Sequence, residues 1–257
     1  MVTQDLDYGK EYFCHYCGGL GYTLVTLYPS LKPFVEAIIE TLLELYGHSN
    51  ELKVLDIGCA RGYLVKMLRD YGIESFGVDI SQYAILVAPS DIKPYLYVCD
   101  VAREKLPFSD EFFDLCVSIA TFEHIDPKSL RSHTLREVRR VLKPSGVLVI
   151  NVPNPLILSE REREEHVFVV GKDTWINFIE ASGFRYDPRL TRLFERVRRR
   201  ENKSMLRYHV NLLRLIYKRS SRYIKTLPDS IHTMIAYMVL LRRTLLPNDF
   251  SIVFIKL

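Results

Sequence analysis

Three aspartates and one Glu-His pair carry most of the chemistry legible in this chain. Asp56 lies in Val54-Leu55-Asp56-Ile57, Asp79 follows 23 positions later in Val78-Asp79-Ile80-Ser81, and Asp100 lies in Val98-Cys99-Asp100-Val101. A carboxylate at the end of a strand can accept a pair of sugar hydroxyls or balance a cation. Glu123-His124 comes after a fourth apolar run, and His166 after a highly charged stretch. An imidazole titrates near neutral pH and a neighbouring carboxylate raises its basicity, so His124, and after it His166, are the candidates for taking a proton. The plainer alternatives are a helix or strand cap for His124 and loop packing for His166.

The elements that must position these groups announce themselves around Asp56. The apolar run leads into Gly58-Cys59-Ala60-Arg61-Gly62-Tyr63-Leu64, a strand entering a sharp turn and then a helix. Gly58 permits the turn, and Gly62 lets the helix pack close to the strand. A dinucleotide fingerprint would read G-x-G-x-x-G around a pyrophosphate. Here Asp-x-Gly-x-x-x-Gly sets a carboxylate where a second anion would be repelled, so the pattern favours a cationic or zwitterionic ligand.

Strand and helix patterns alternate from Lys53 to Pro153. Strands are expected at 53–57, 74–79, 95–99, 113–120 and 146–152, with helices at 62–71, 81–88 and 129–142. Such alternation predicts a parallel sheet with helices on both faces, whose strand ends bring Asp56, Asp79, Asp100 and the 120–125 loop to one edge. Asp173 reads as the N-cap of a helix ending at Gly183. Phe184 to Phe194 reads as a sixth strand and Phe250 to Lys256 as a seventh, the two forming an antiparallel edge.

In this order and spacing the segments resemble the class I S-adenosylmethionine (SAM)-dependent methyltransferases, of the type 11 kind. The resemblance covers the 54–64 turn, Val78 to Ser81, Val98 to Val101, Phe113 to Ile125 and Leu142 to Ile150. It implies a Rossmann-like, doubly wound seven-stranded α/β sheet, mostly parallel with an antiparallel last strand, and SAM as cofactor. It also implies ribose binding by Asp79 and adenine contact by Asp100. Gly58, Gly62 and the intervening Cys59 and Ala60 would sit near the methionine end, and Asp56 would act through water or the turn. Ile80, Val101, Ala120 and Thr121 would line the adenine or methyl pocket. Without the resemblance, Asp79 reads as a helix cap and Asp100 as an ordinary turn aspartate. The sequence departs from the family at Ala60-Arg61, where many members carry another glycine.

The 257 residues suit one domain: an N-terminal cap at 1–50, a core at 51–194, a helical insertion at 195–248 and a last strand at 249–257. The cap is expected over the carboxyl edge of the sheet, with Leu31 to Tyr46 helical. It contains Cys14-His15-Tyr16-Cys17, a lone C-x-x-C without the further ligands zinc needs, so no metal is expected. An odd count of five cysteines suits a reducing cytosol, and neither a secretory signal nor a transmembrane segment is expected.

The formal net charge is +4, yet sixteen Lys and Arg face four Asp and Glu between Arg185 and Arg243. That run is either a solvated helical face or a surface for an anionic partner. A small-molecule acceptor is the first expectation. RNA or an anionic membrane carrying a lipid-like acceptor, met through Arg196 to Lys225, is the second, and a non-catalytic SAM-binding scaffold the third.

Overall fold

Strand β1 (Lys53–Ile57) is buried on both faces, as a strand covered by helices on each side must be. The computed structural model describes residues 24–48, 51–156, 158, 166–201 and 249–257. Within them β1 pairs in parallel with β2 (Glu74–Asp79) and β4 (Phe113–Ile119). The seven strands run in the order β3-β2-β1-β4-β5-β7-β6, with β3 at Leu96–Val98, β5 at Leu142–Pro153, β6 at Phe184–Tyr186 and β7 at Asp249–Lys256. Strand β7 is antiparallel to both neighbours, and the remaining pairings are parallel. This is the doubly wound sheet expected. Its strand order reverses between β1 and β4, and the crevice outside their carboxyl ends is where this architecture binds ligands.

Side chains alternate between two cores as the pleat demands. Leu55, Cys116, Leu148, Ile150 and Phe254 point to one face, with Leu135, Val138 and Trp175 from the helices α4 (Leu135–Val141) and α5 (Lys172–Glu180). Val54, Leu115, Val117, Val147, Val149 and Val253 point to the other. There they meet α1 (Leu24–Tyr46), α2 (Tyr63–Asp70) and a helix over 188–201, here α6. Helix α3 (Gln82–Leu86) follows β2, with Ser81 Oγ accepting the N–H of Ala84 as its cap.

Several boundaries differ from the sequence reading. The expected sixth strand stops at Tyr186, because Asp187-Pro188 starts a helix. Asp187 Oδ1 accepts the N–H groups of Arg189 and Leu190, each at 2.9 Å, while proline suits the first helical position. Leu190, Phe194 and Val197 then face the core at helical spacing, so the chain is helical from 188 where a strand was expected as far as Phe194. The cap of α5 is Gly171, with Asp173 in the first turn, favourably placed for the helix dipole. The stretch expected as a helix over 129–142 is a π turn, Leu130–Thr134, leading into α4. Helix α1, expected over the carboxyl edge, lies along a sheet face through Phe34, Val35, Ile38 and Leu42. The Cys14–Cys17 pair, the basic residues beyond 201 and the apolar stretch 234–241 lie outside the described residues. Among those described, no helix is long and apolar enough to cross a membrane.

Trp175 is wholly buried, with the rings of Phe168 and Phe178 at 4.6 and 6.2 Å. Trp175→Ala is expected to lower unfolding stability by about 3–5 kcal/mol in urea titration; a loss below about 1 kcal/mol would contradict this packing.

Candidate active site

The turn after β1 spends its donors internally. Gly58 and Cys59 N–H both donate to the Val78 carbonyl, at 2.8 and 3.0 Å, and Gly62 N–H donates to the Cys59 carbonyl at 2.8 Å. Ala60 N–H donates to Asp79 Oδ2 at 2.7 Å. A phosphate-binding loop offers such groups to its ligand; here all four are taken, which agrees with a ligand that is not a pyrophosphate. The backbone holds left-handed angles at Gly58 (φ +82°), Ala60 (φ +49°) and Gly62 (φ +70°). Ala60 therefore adopts the conformation a glycine takes without strain, so the departure from the family pattern leaves the turn's geometry in place.

Asp79 is the clasp of this region. Its Oδ2 takes the Ala60 N–H and its Oδ1 the Ser81 N–H at 2.8 Å, tying the turn after β1 to the turn after β2. Each carboxylate oxygen keeps a lone-pair direction for a further donor. Asp79 is thus both the turn anchor and a pair of acceptors. Burial raises its pKa, against the lowering effect of those two N–H groups. Asp56, also buried, is pushed up to about 8, first by desolvation and then by the charge of Asp79. Two buried acids beside each other, with no cation among the causes that shift either of them in the described residues, make a site that gains from a cation.

Other expected residues divide into those brought to this crevice and those that serve the core. Ile80 follows Asp79 with half its surface exposed, an apolar face beside the carboxylate. Gly58 and Thr121 touch: a Cβ on Gly58 would overlap Thr121 Oγ1 and stand 2.7 Å from its Cγ2. Ala120, next to it, is exposed and left-handed (φ +52°). The Cys59 thiol instead packs with Val65, Ile85 and Leu96, and burial lifts its pKa well above the usual thiol range. Val101 is half-buried against the core. Asp100 Oδ1 accepts the Ala102 N–H at 3.0 Å, so it does cap its own turn.

Past Thr121, a 3₁₀ turn at Phe122–His124 presents Glu123 and His124. The Glu123 carbonyl accepts the N–H groups of Val167 and Phe168, both at 2.9 Å, which brings His166 alongside. The His124 and His166 rings lie 4.7 Å apart at 34°, and His166 Nε2 is 4.0 Å from Glu123 Oε1. Glu123 is almost fully buried, and desolvation pushes its carboxyl up to about 8. In the sequence Glu123 stands out only as a neighbour of His124. A carboxylate followed by histidine just beyond a buried strand was its one visible signal.

Residues 55–150 match the family model described as a methyltransferase domain. A Haemophilus influenzae protein, described as uncharacterized, is 28% identical over 60% of this chain and 67% of its own length. The ubiquinone biosynthesis O-methyltransferase of Azorhizobium caulinodans is 25% identical over 59% of this chain and 61% of its own. Other relatives bear the names of tRNA methyltransferases, and some are matched over less than half their length. A solved phosphoethanolamine N-methyltransferase 2 from Haemonchus contortus shares the fold at a TM-score of 0.53, with 16% identity, covering 95% of this chain and 58% of that one. Fold, strand order and the matched domain together define a class I methyltransferase architecture. Residues 55–150 are thus a methyltransferase-like domain, and the sheet has the fold of the class I SAM-dependent methyltransferases.

Two measurements probe this geometry. Gly58→Ala is expected to cost at least about 2 kcal/mol, because a left-handed backbone and a collision combine. Gly47→Ala, at φ +75° with nothing within 4 Å, should cost only the backbone share, about 1–2 kcal/mol. Equal losses in chemical denaturation would contradict the Gly58–Thr121 contact. Asp56 in the folded state holds a proton that the unfolded state releases, so its contribution falls as pH rises from about 4 to about 8. Asp56→Asn should flatten the decline of melting temperature over pH 5–9 by the equivalent of a few kcal/mol; an unchanged slope would refute the raised pKa.

Proposed function

We propose that this protein transfers the methyl group of SAM to a heteroatom of a small-molecule acceptor. The observation that carries the reading is the Asp79 carboxylate, held by two backbone N–H groups at the mouth of the β1–β4 crevice with acceptor capacity on both oxygens. SAM fits the residues present: Asp79 would take the ribose hydroxyls, exposed Ile80 would lie against the adenine, and Asp100 would meet its amino group. The Gly58–Gly62 turn, with Ala60 and the Cys59 backbone, would border the methionine moiety, whose positive charge suits the buried pair Asp56 and Asp79. Ala120 and Thr121 would border the methyl group, with Val101 behind the adenine.

SAM supplies an activated methyl carbon, so the protein's task is alignment and exclusion of water. Orienting the partners alone is worth roughly 7–11 kcal/mol of barrier. Glu123, His124 and His166 stand just beyond Thr121 and form the acceptor pole, where an acceptor's proton would depart. The Azorhizobium relative's name, an O-methyltransferase of ubiquinone biosynthesis, supports a small organic acceptor. Names of other relatives support tRNA, and of the basic run's described residues Arg196, Arg199 and Arg200 are exposed while one is not. Arg198 is 3% exposed, pairs with Asp249 at 2.8 Å and lies over the Phe34 ring at 4.9 Å. Three buried free thiols, Cys59, Cys99 and Cys116, suit a reducing compartment such as the cytoplasm.

Calorimetry with SAM is expected to show one site per chain, weakened at least about tenfold by Asp79→Ala, the loss of a doubly accepting carboxylate. A labelled-methyl screen against metabolite, lipid and RNA fractions should place the label in small molecules with release of S-adenosylhomocysteine. Label in RNA or lipid would replace the acceptor class, and SAM uptake without any product would leave a binding scaffold.

A further inference from the structure

We propose that Glu123, His124 and His166 form a binding site for one divalent transition-metal ion at the acceptor pole of the crevice. Each offers one ligand atom, and all three atoms lie within 4.8 Å of one another. Glu123 Oε2 is buried without a hydrogen-bond partner, and the residue is only 1% exposed. A carboxylate in that condition is costly unless neutralised by a proton or a cation. The position is built, since the Glu123 carbonyl takes both the Val167 and Phe168 N–H groups and so fixes the His166 segment against the turn that carries Glu123 and His124.

The dimensions fit an ion. Zinc lies about 2.0–2.2 Å from imidazole nitrogen and carboxylate oxygen, so two such ligands stand at most about 4.2 Å apart. His166 Nε2 and Glu123 Oε1, at 4.0 Å, fall within that reach. Rotation of the partly exposed imidazoles closes the wider separations by less than about 1 Å. Two nitrogens and one oxygen favour zinc, manganese, iron(II) or cobalt(II) over magnesium, which prefers oxygen ligands. Three protein ligands leave coordination positions open, the arrangement of a reactive rather than a structural site.

The ion's role rests on the methyl-transfer reading. A hydroxyl of the acceptor lying against the cation would lose its proton to solvent at a lower pH. The oxygen lone pair then forms the bond to the methyl carbon, and the electron pair of the carbon–sulfur bond returns to sulfur. On this assignment His124 and His166 hold the ion and do not take the proton themselves.

The test uses the full chain, stripped with chelator and titrated with cobalt(II) by calorimetry and visible absorption, then with zinc(II) in competition. One cobalt ion per chain, with absorption bands of mixed nitrogen and oxygen ligation, is expected. Glu123→Gln and His166→Asn should each weaken binding at least about tenfold. Asp79→Ala should lose SAM and keep the ion, so failure of the donor site and of the metal site are told apart. Absence of stoichiometric uptake by the unsubstituted chain, or uptake undiminished in both variants, would overturn the proposal. The first of these outcomes holds even if a variant does not fold.

Discussion

The bridge made by Asp79 is the constraint on which the crevice depends. One carboxylate fastens the turn after β1 to the turn after β2, and its burial is tolerated because two backbone donors oppose the desolvation. Without that bridge the Ala60 N–H would be left buried, and the left-handed turn through Gly58 and Gly62 would lose its cross-strand anchor. Burial, and after it the charge of that same carboxylate, raises the pKa of Asp56 to about 8, so near neutral pH Asp56 holds a proton that an incoming cation would displace. Structure and ligand preference thus come from one side chain.

A second constraint is steric. The approach of Thr121 to Gly58 joins the loops after β1 and β4 so closely that no side chain fits between them. Since the 3₁₀ turn with Glu123 and His124 begins at the next residue, the loops proposed to face the methyl donor and the acceptor share one rigid seam. The distance between them is therefore set by the backbone and not by long, mobile side chains. Such fixed spacing is what an in-line displacement requires.

Much of this was legible in the residues. The apolar runs around Asp56, Asp79 and Cys116 declare buried parallel strands, and glycine at 58 and 62 declares the turn between strand and helix. What escaped reading was governed by short signals or by contacts distant in sequence. Phe184 to Phe194 has strand-like composition, yet Asp187-Pro188 supplies a cap and a first-turn proline that redirect the chain into a helix. The lateral placement of α1 follows from which strand residues it meets, information absent from its own pattern. Glu123 looked like an accessory to His124. Only the fold shows that it is buried with an oxygen unsatisfied and that residue 166 returns to its side. Arg198 looked like one more member of a basic run, and its partner Asp249 lies 51 positions further along the chain.

That last ion pair has an architectural consequence. The chain departs from the sheet through α6 and rejoins it at β7, and the guanidinium of Arg198 meets the carboxylate of Asp249 where those two paths cross. Exit and return are pinned together, like the two feet of an arch standing on one plinth. Evolution can then lengthen, shorten or rewrite the intervening stretch with little penalty to the sheet, because the register of β7 is secured before the excursion matters.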